Sequence, residues 1–73
     1  MRKEIKMEEV NSSQIARVGY DRNTSTLYVE FKNHSIYRYL NVPADKYKDM
    51  MSNASVGTYL RNVIQPSYKF EKV

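Results

Sequence analysis

Over residues 26–32 the chain alternates without a break, with Leu27, Val29 and Phe31 on one side and Tyr28, Glu30 and Lys32 on the other. Successive strand side chains point to opposite faces, so this is the pattern of an antiparallel strand with one face in a core and one in water. Asn33 and His34 follow, two residue types that tolerate left-handed backbone better than most. Residues 35–40 then alternate again, with Tyr37 and Tyr39 on one face and Ile36, Arg38 and Leu40 on the other. Two period-two runs around a pair of turn formers predict a β-hairpin closed by a two-residue turn. Val42-Pro43 changes the mode: proline suits the first turn of a helix. Residues 44–52 keep helical spacing, with Tyr47, Met50 and Met51 on one side and Asp45 placed to complement the helix dipole.

The flanking segments extend this scheme. Residues 15–20 read as a strand with Ala16, Val18 and Tyr20 on one face, joined to the next strand by the polar turn of residues 21–25, where Asn23 suits a positive φ. Residues 1–10 alternate charged and apolar side chains, as an edge strand or a loosely held arm. Asn11-Ser12-Ser13 breaks that pattern, and its hydroxyls either bond the backbone of the following strand or line a pocket. Ser55 is placed to cap a second short helix over residues 56–64, with Tyr59, Leu60, Val63 and Ile64 as its sheet-facing stripe. Gly57 costs up to about 1 kcal/mol in a helix relative to alanine, so its expected use is a close approach of the helix start to a strand or ligand. Pro66 stops the helix, and Tyr68, Phe70 and Val73 alternate as a last strand. The expected architecture is one α+β domain over residues 1–73, a small antiparallel β-meander of three to five strands covered on one face by two short helices. Its expected core is Leu27, Val29, Phe31, Tyr37, Tyr39, Tyr47, Leu60 and Ile64.

A 73-residue chain buries only about 60% of its unfolded surface, and domains of this size usually need a staple. This one has no cysteine for disulfides or a thiolate metal site. Its seven tyrosines and two phenylalanines supply large buried areas, and association of chains into a homo-oligomer would bury more. The lack of cysteine fits a reducing compartment. Charges run through the first seven residues (Arg2, Lys3, Glu4 and Lys6) with no apolar run behind them, and no window approaches the roughly 20 apolar residues of a membrane span. A soluble cytoplasmic protein is expected. Twelve basic against eight acidic residues give a net charge of +4, which favours phosphate-bearing partners or simply keeps a small domain in solution.

The ordered set Ser12-Ser13, Gly19-Tyr20-Asp21, Leu27-x-Val29-x-Phe31, Tyr37-x-Tyr39, Val42-Pro43, Tyr47, Ala54-Ser55-x-Gly57-x-Tyr59, Ile64 and Tyr68 resembles the KTSC domain. That domain is named for its place at the C-terminus of some lysyl-tRNA synthetases and also occurs as short stand-alone bacterial and phage proteins. The resemblance spans about residues 10 to 70. It implies a small α+β fold and a binding module rather than any chemistry; in a stand-alone phage protein it implies a module that sequesters a nucleotide signal of host defence. The chain departs from the family at His34, where a hairpin glycine is usual, and at Leu60-Arg61, where an asparagine usually follows the aromatic pair of the last helix.

Catalysis needs groups held together with tuned pKa values. The single histidine, His34, falls in a turn, and a set of Ser12 or Ser13, His34 and Asp21 is not demanded by any spacing. Paired histidines and carboxylate clusters at ligand spacing are absent from the sequence. No catalytic residue, metal or cofactor is expected. Two binding surfaces are. Tyr28, Lys32 and Arg38 would sit together on the sheet face away from the helices, where aromatic and basic groups stack bases and hold phosphates. Ser55 and Gly57 would offer backbone N–H groups at the start of the last helix, with Arg61 one turn on, as an anion site. The expected function is a non-catalytic binding module for a nucleotide or nucleic acid. The alternatives are a protein-interaction domain that recruits a partner through an exposed strand edge and the apolar Ile36 and Leu40, and a self-assembling accessory protein.

Overall fold

A computed structural model describes residues 6–73. Five antiparallel strands lie in sequence order across one sheet: β1 (Met7–Glu9), β2 (Ile15–Asp21), β3 (Thr26–Phe31), β4 (Ile36–Tyr39) and β5 (Phe70–Lys72). Between β4 and β5 the chain forms α1 (Ala44–Ser52) and α2 (Val56–Tyr59), the latter widening directly into a π-helical turn at Leu60–Ile64. The expected three-strand meander is therefore flanked by strands from both ends. Of the arm or edge strand expected over residues 1–10, Met7–Glu9 pair with β2 as an edge strand, and residues 1–5 lie outside the described residues.

Register explains what is buried. Val18, Val29 and Tyr37 stand opposite one another across β2, β3 and β4, as do Tyr20, Leu27 and Tyr39. Tyr37 and Tyr39 therefore share the inner face with Leu27 and Val29. The sealed core is Ile15, Val18, Leu27, Val29, Tyr39, Val42, Met50, Val56, Leu60 and Ile64. Three side chains expected there, Phe31, Tyr37 and Tyr47, are only half-buried and form its rim. Phe31 lies edge-on to Tyr37 (5.5 Å between centroids) and Tyr47 stacks on Tyr20 at 5.0 Å. Ile36 and Leu40, expected to leave an apolar outer patch, are also half-buried.

Four local details differ from the sequence expectation. The β2–β3 register shifts between Ile15 and Arg17, so an extra residue bulges at Ala16; Ile15 rather than Ala16 fills the inner face, opposite Phe31. The β3–β4 loop has three residues: Phe31 N–H donates to Ser35 C=O (2.8 Å) and His34 N–H to Phe31 C=O (2.9 Å), with His34 at φ 74°. In the β2–β3 turn the positive φ belongs to Ser25 (54°), while Asn23 N–H donates to the Asp21 carboxylate at 2.9 Å. The last helix does not stay α-helical, since Gln65 N–H reaches Leu60 C=O (2.8 Å), five residues back. Pro66 brings no N–H to continue the ladder. The widened turn seats both Leu60 and Ile64 in the core, and Gln65 Nε2 donates to the Tyr39 hydroxyl (3.2 Å).

Candidate functional site

Residues 11–14 turn the chain from β1 into β2, and the turn is held by Ser12. Its Oγ accepts from the N–H groups of both Gln14 and Ile15 (3.2 Å each). Across from it, Asn53 Oδ1 accepts from Ser55 N–H (3.0 Å), and Ser55 Oγ accepts from Thr58 N–H (3.3 Å) while donating to Thr58 Oγ1 (2.8 Å). Ser55 is thus the cap of α2. Gly57 brings the two segments together: a Cβ at this position would lie 3.1 Å from Ser12 Oγ. The glycine is used for the close approach that its position in the helix suggested.

A groove of about 330 Å³ runs between these segments, lined by residues 11–14 on one side and by Ala54, Ser55, Gly57, Thr58 and Arg61 on the other. Arg61 Nη2 donates to Gln14 Oε1 (3.2 Å) and is, among the described residues, the one charged side chain in the lining, with no carboxylate beside it. Lys32 is next door. Its N–H donates to Gln14 C=O (2.8 Å), and with Phe31, Asn33, Ser13 and Gln14 it lines a second groove that shares the Ser13-Gln14 wall. Four of the six expected binding residues, Lys32, Ser55, Gly57 and Arg61, therefore surround one turn. Ser12, Ser13 and Gln14 complete the wall and were absent from that set, although Ser12-Ser13 stood out as a possible pocket lining. The helix start itself supplies less than expected: Ser55 consumes the Thr58 N–H, and a four-residue α-helical run sums few peptide dipoles.

Tyr28 and Arg38 sit elsewhere, opposite each other on the outer face of β3 and β4, and Lys32 lies in the hairpin loop rather than beside them. The Arg38 guanidinium pairs with the Glu71 carboxylate through Nε (2.7 Å) and Nη2, a contact that holds its pKa above the usual guanidinium value, with a smaller contribution from Tyr28. Arg17 pairs with Glu30 across β2 and β3 (3.1 Å). Both outer-face arginines are thus matched by carboxylates, and the basic surface expected around Tyr28 is electrically balanced.

A larger groove of about 570 Å³ opens between α1 and the ends of β1 and β2, around the Tyr20–Tyr47 stack. The Tyr20 hydroxyl donates to Val42 C=O. Burial, with a smaller push from Glu8, raises the Tyr47 phenol above its ordinary value. Glu8 and Asp45 oppose Arg22 and Lys48 around this groove, so it has no net preference for an anion. Neither tyrosine was expected at a site, because their spacing in sequence is that of core residues. Asp21, the last residue of β2, and His34, in the β3–β4 loop, lie at opposite ends of β3, a strand of roughly 17 Å, so they do not meet. Among the described residues no three His, Cys, Asp or Glu side chains cluster as a metal site, and no helix is long and apolar enough to cross a membrane.

Comparison with known proteins gives a consistent result. The family model described as KTSC domain matches residues 11–68. A protein of Tsukamurella paurometabola is 29% identical over 63 residues, covering 86% of this chain and 94% of the relative. A protein of Stutzerimonas stutzeri is 30% identical over 64 residues, covering 88% and 90%. The crystal structure of a KTSC domain protein from Yersinia pestis superposes with a TM-score of 0.91 at 30% identity, over 96% of this chain and 99% of the other.

Proposed function

The chain belongs to the KTSC domain family, and from that premise we propose that it is a non-catalytic module that holds a phosphate-bearing nucleotide between the 11–14 turn and α2. The observation that carries the reading is the groove itself. Ser12 and Ser13 meet Ser55 and Gly57 there, Arg61 closes the groove, no acid among the described residues lines it, and Lys32 stands on the far side of the same turn. Hydroxyl and amide groups suit the polar edges of a base or sugar, and two cations near one polar wall suit a phosphate. Hydrolysis or transfer would need an acid or base aimed into the groove, and the polar groups that line it are neutral apart from an arginine, which stays protonated. RNA would meet the same donors at a strand end or an unpaired loop. In a stand-alone phage or bacterial setting a module of this kind serves to sequester a nucleotide signal.

Thermal unfolding against mono-, di- and cyclic nucleotides tests this. A ligand at about 100 times its dissociation constant stabilises by about 2.7 kcal/mol, which raises the midpoint of so small a domain by about 10 °C or more. Arg61→Glu should abolish that shift and Arg38→Gln should leave it intact. A flat response across the panel and across short RNAs, or a shift indifferent to Arg61→Glu, overturns the proposal.

A further inference from the structure

The open edge of β5 carries a second inference, independent of the groove. Leu40 N–H donates to Lys69 C=O and Val73 N–H donates to Ile36 C=O, both at 2.8 Å. Alternate residues of an antiparallel strand bond the same neighbour, so Lys69, Glu71 and Val73 face β4. The backbone groups of Phe70 and Lys72 therefore point away from the sheet, and among the described residues no strand pairs with them. Phe70 is 51% exposed and Val73 67% exposed, the two large apolar side chains left in water among the described residues. Phe70 also ends a row of aromatics. Phe31 packs on Tyr37 at 5.5 Å, Tyr37 on Phe70 at 5.6 Å, and Tyr39 on Phe70 at 5.5 Å. Nothing among the described residues continues the row past the edge.

We infer that β5 pairs antiparallel with β5 of a second copy of this chain, about a twofold axis at Phe70. An axis perpendicular to the sheet keeps each residue on its own face, so residues of like parity pair, and three registers lie within the strand. Centring on Glu71 puts Glu71 opposite Glu71, and centring on Lys72 puts Lys72 opposite Lys72; like charges directly opposite are destabilising. Centring on Phe70 puts ring against ring at a pair whose N–H and C=O groups both face the edge. It also sets Lys69 opposite Glu71 twice, once on each side of the axis. Charge selects this register, and the aromatic row then runs through both copies. Pairing of β1 with β5 of another copy would not close, and would grow filaments.

A three-residue edge contact is at the small end of specific interfaces, so the dimer should be weak and dissociate on dilution. Sedimentation from about 10 μM to about 1 mM should show a monomer going to a dimer and no further. Lys69→Glu turns two attractive cross-strand pairs into repulsive ones and should weaken the dimer about tenfold. Lys48→Glu makes the same charge change on α1 and should leave the dimer unaffected. Because the chain has no cysteine, single substitutions read the register directly. Phe70→Cys places two thiols on Cα atoms about 5.5 Å apart, within disulfide range. Glu71→Cys separates them by two residues and Lys72→Cys by four, about 13 Å along the strand. Oxidative cross-linking at 70 alone is the expected result. A monomer throughout, a Lys69→Glu variant that dimerises like the parent, cross-linking at 71 or 72, or assembly that climbs past the dimer overturns the inference.

Discussion

Gly57 is the second residue of α2, and its substitution by alanine sets two calculable effects against each other. Alanine is favoured over glycine in a helix by up to about 1 kcal/mol, less near an end, so the local gain is about 0.5–1 kcal/mol. Against it stands Ser12 Oγ, 3.1 Å from the new Cβ. That oxygen cannot retreat freely, because it accepts from Gln14 and Ile15 N–H groups that are already 3.2 Å away. Losing both bonds costs about 1–3 kcal/mol, which exceeds the helical gain. Gly57→Ala should therefore destabilise the protein by about 1 kcal/mol. In a Ser12→Ala background the obstacle is gone and the bonds are already lost, so the same change should stabilise by about 0.5–1 kcal/mol. The cycle thus predicts a coupling of about 1.5–2 kcal/mol, read from urea unfolding of the four proteins. If Gly57→Ala stabilises the parent as much as the Ser12→Ala variant, the tight approach that forms the groove is not real.

Leu27 is fully buried and Phe31 is a rim residue, so Leu27→Ala should cost about 3–4 kcal/mol and Phe31→Ala only about 2 kcal/mol; denaturant midpoints in the opposite order would contradict the register of β3. His34 holds φ 74° in the hairpin, a left-handed conformation that costs an L-residue about 1 kcal/mol, so His34→Gly should raise stability by about that amount; a loss would show that its side chain makes a contact that matters. The Tyr39 and Tyr47 phenols are raised above 10.0, in each case chiefly by burial. Folding favours their neutral forms, so this stability is fully present below pH 10 and is lost as pH rises through the folded-state values. Absorbance followed for the Tyr39 and Tyr47 phenols should show them ionising at higher pH in the folded protein than in urea, and the same titration in both would refute it.

Alternation carried most of the architecture into view. Residues 26–32 and 35–40 have an apolar side chain at every second position, and burial of one face leaves a strand no other register. Bulges and π-turns have no such signature. Ile15 enters the core because one extra residue bulges at Ala16, and nothing local to residues 15–17 distinguishes that from plain alternation. The widening at Leu60–Ile64 keeps the stripe of apolar positions nearly where an α-helix would place it. Ser25, not Asn23, takes the positive φ because the chain there must present its C=O to Val42 N–H (2.8 Å), a partner 17 positions further on. Phe31, Tyr37 and Tyr47 were misjudged for a different reason. Ring size predicts large burial, but whether a ring seals a core or rims it depends on how far the helices reach over the sheet.

The candidate site moved for an electrostatic reason. Tyr28 and Arg38 are where alternation put them, on the outer face and side by side. Sequence cannot show that Glu71, 33 residues away, comes to the same guanidinium, or that Arg17 meets Glu30 from the next strand. Each exposed pair adds little to stability, at most about 1 kcal/mol. Its larger consequence is on the field: two paired charges present a dipole, which falls away within a Debye length of about 8–10 Å. The net charge of +4 therefore gives no attraction over that face. Arg61 and Lys32 form no ion pair among the described residues, and they flank the same Ser13-Gln14 wall. On the proposed reading, attraction for a phosphate survives there, at a wall of neutral hydroxyls and amides, and that combination rather than aromatic stacking on the sheet would select the ligand.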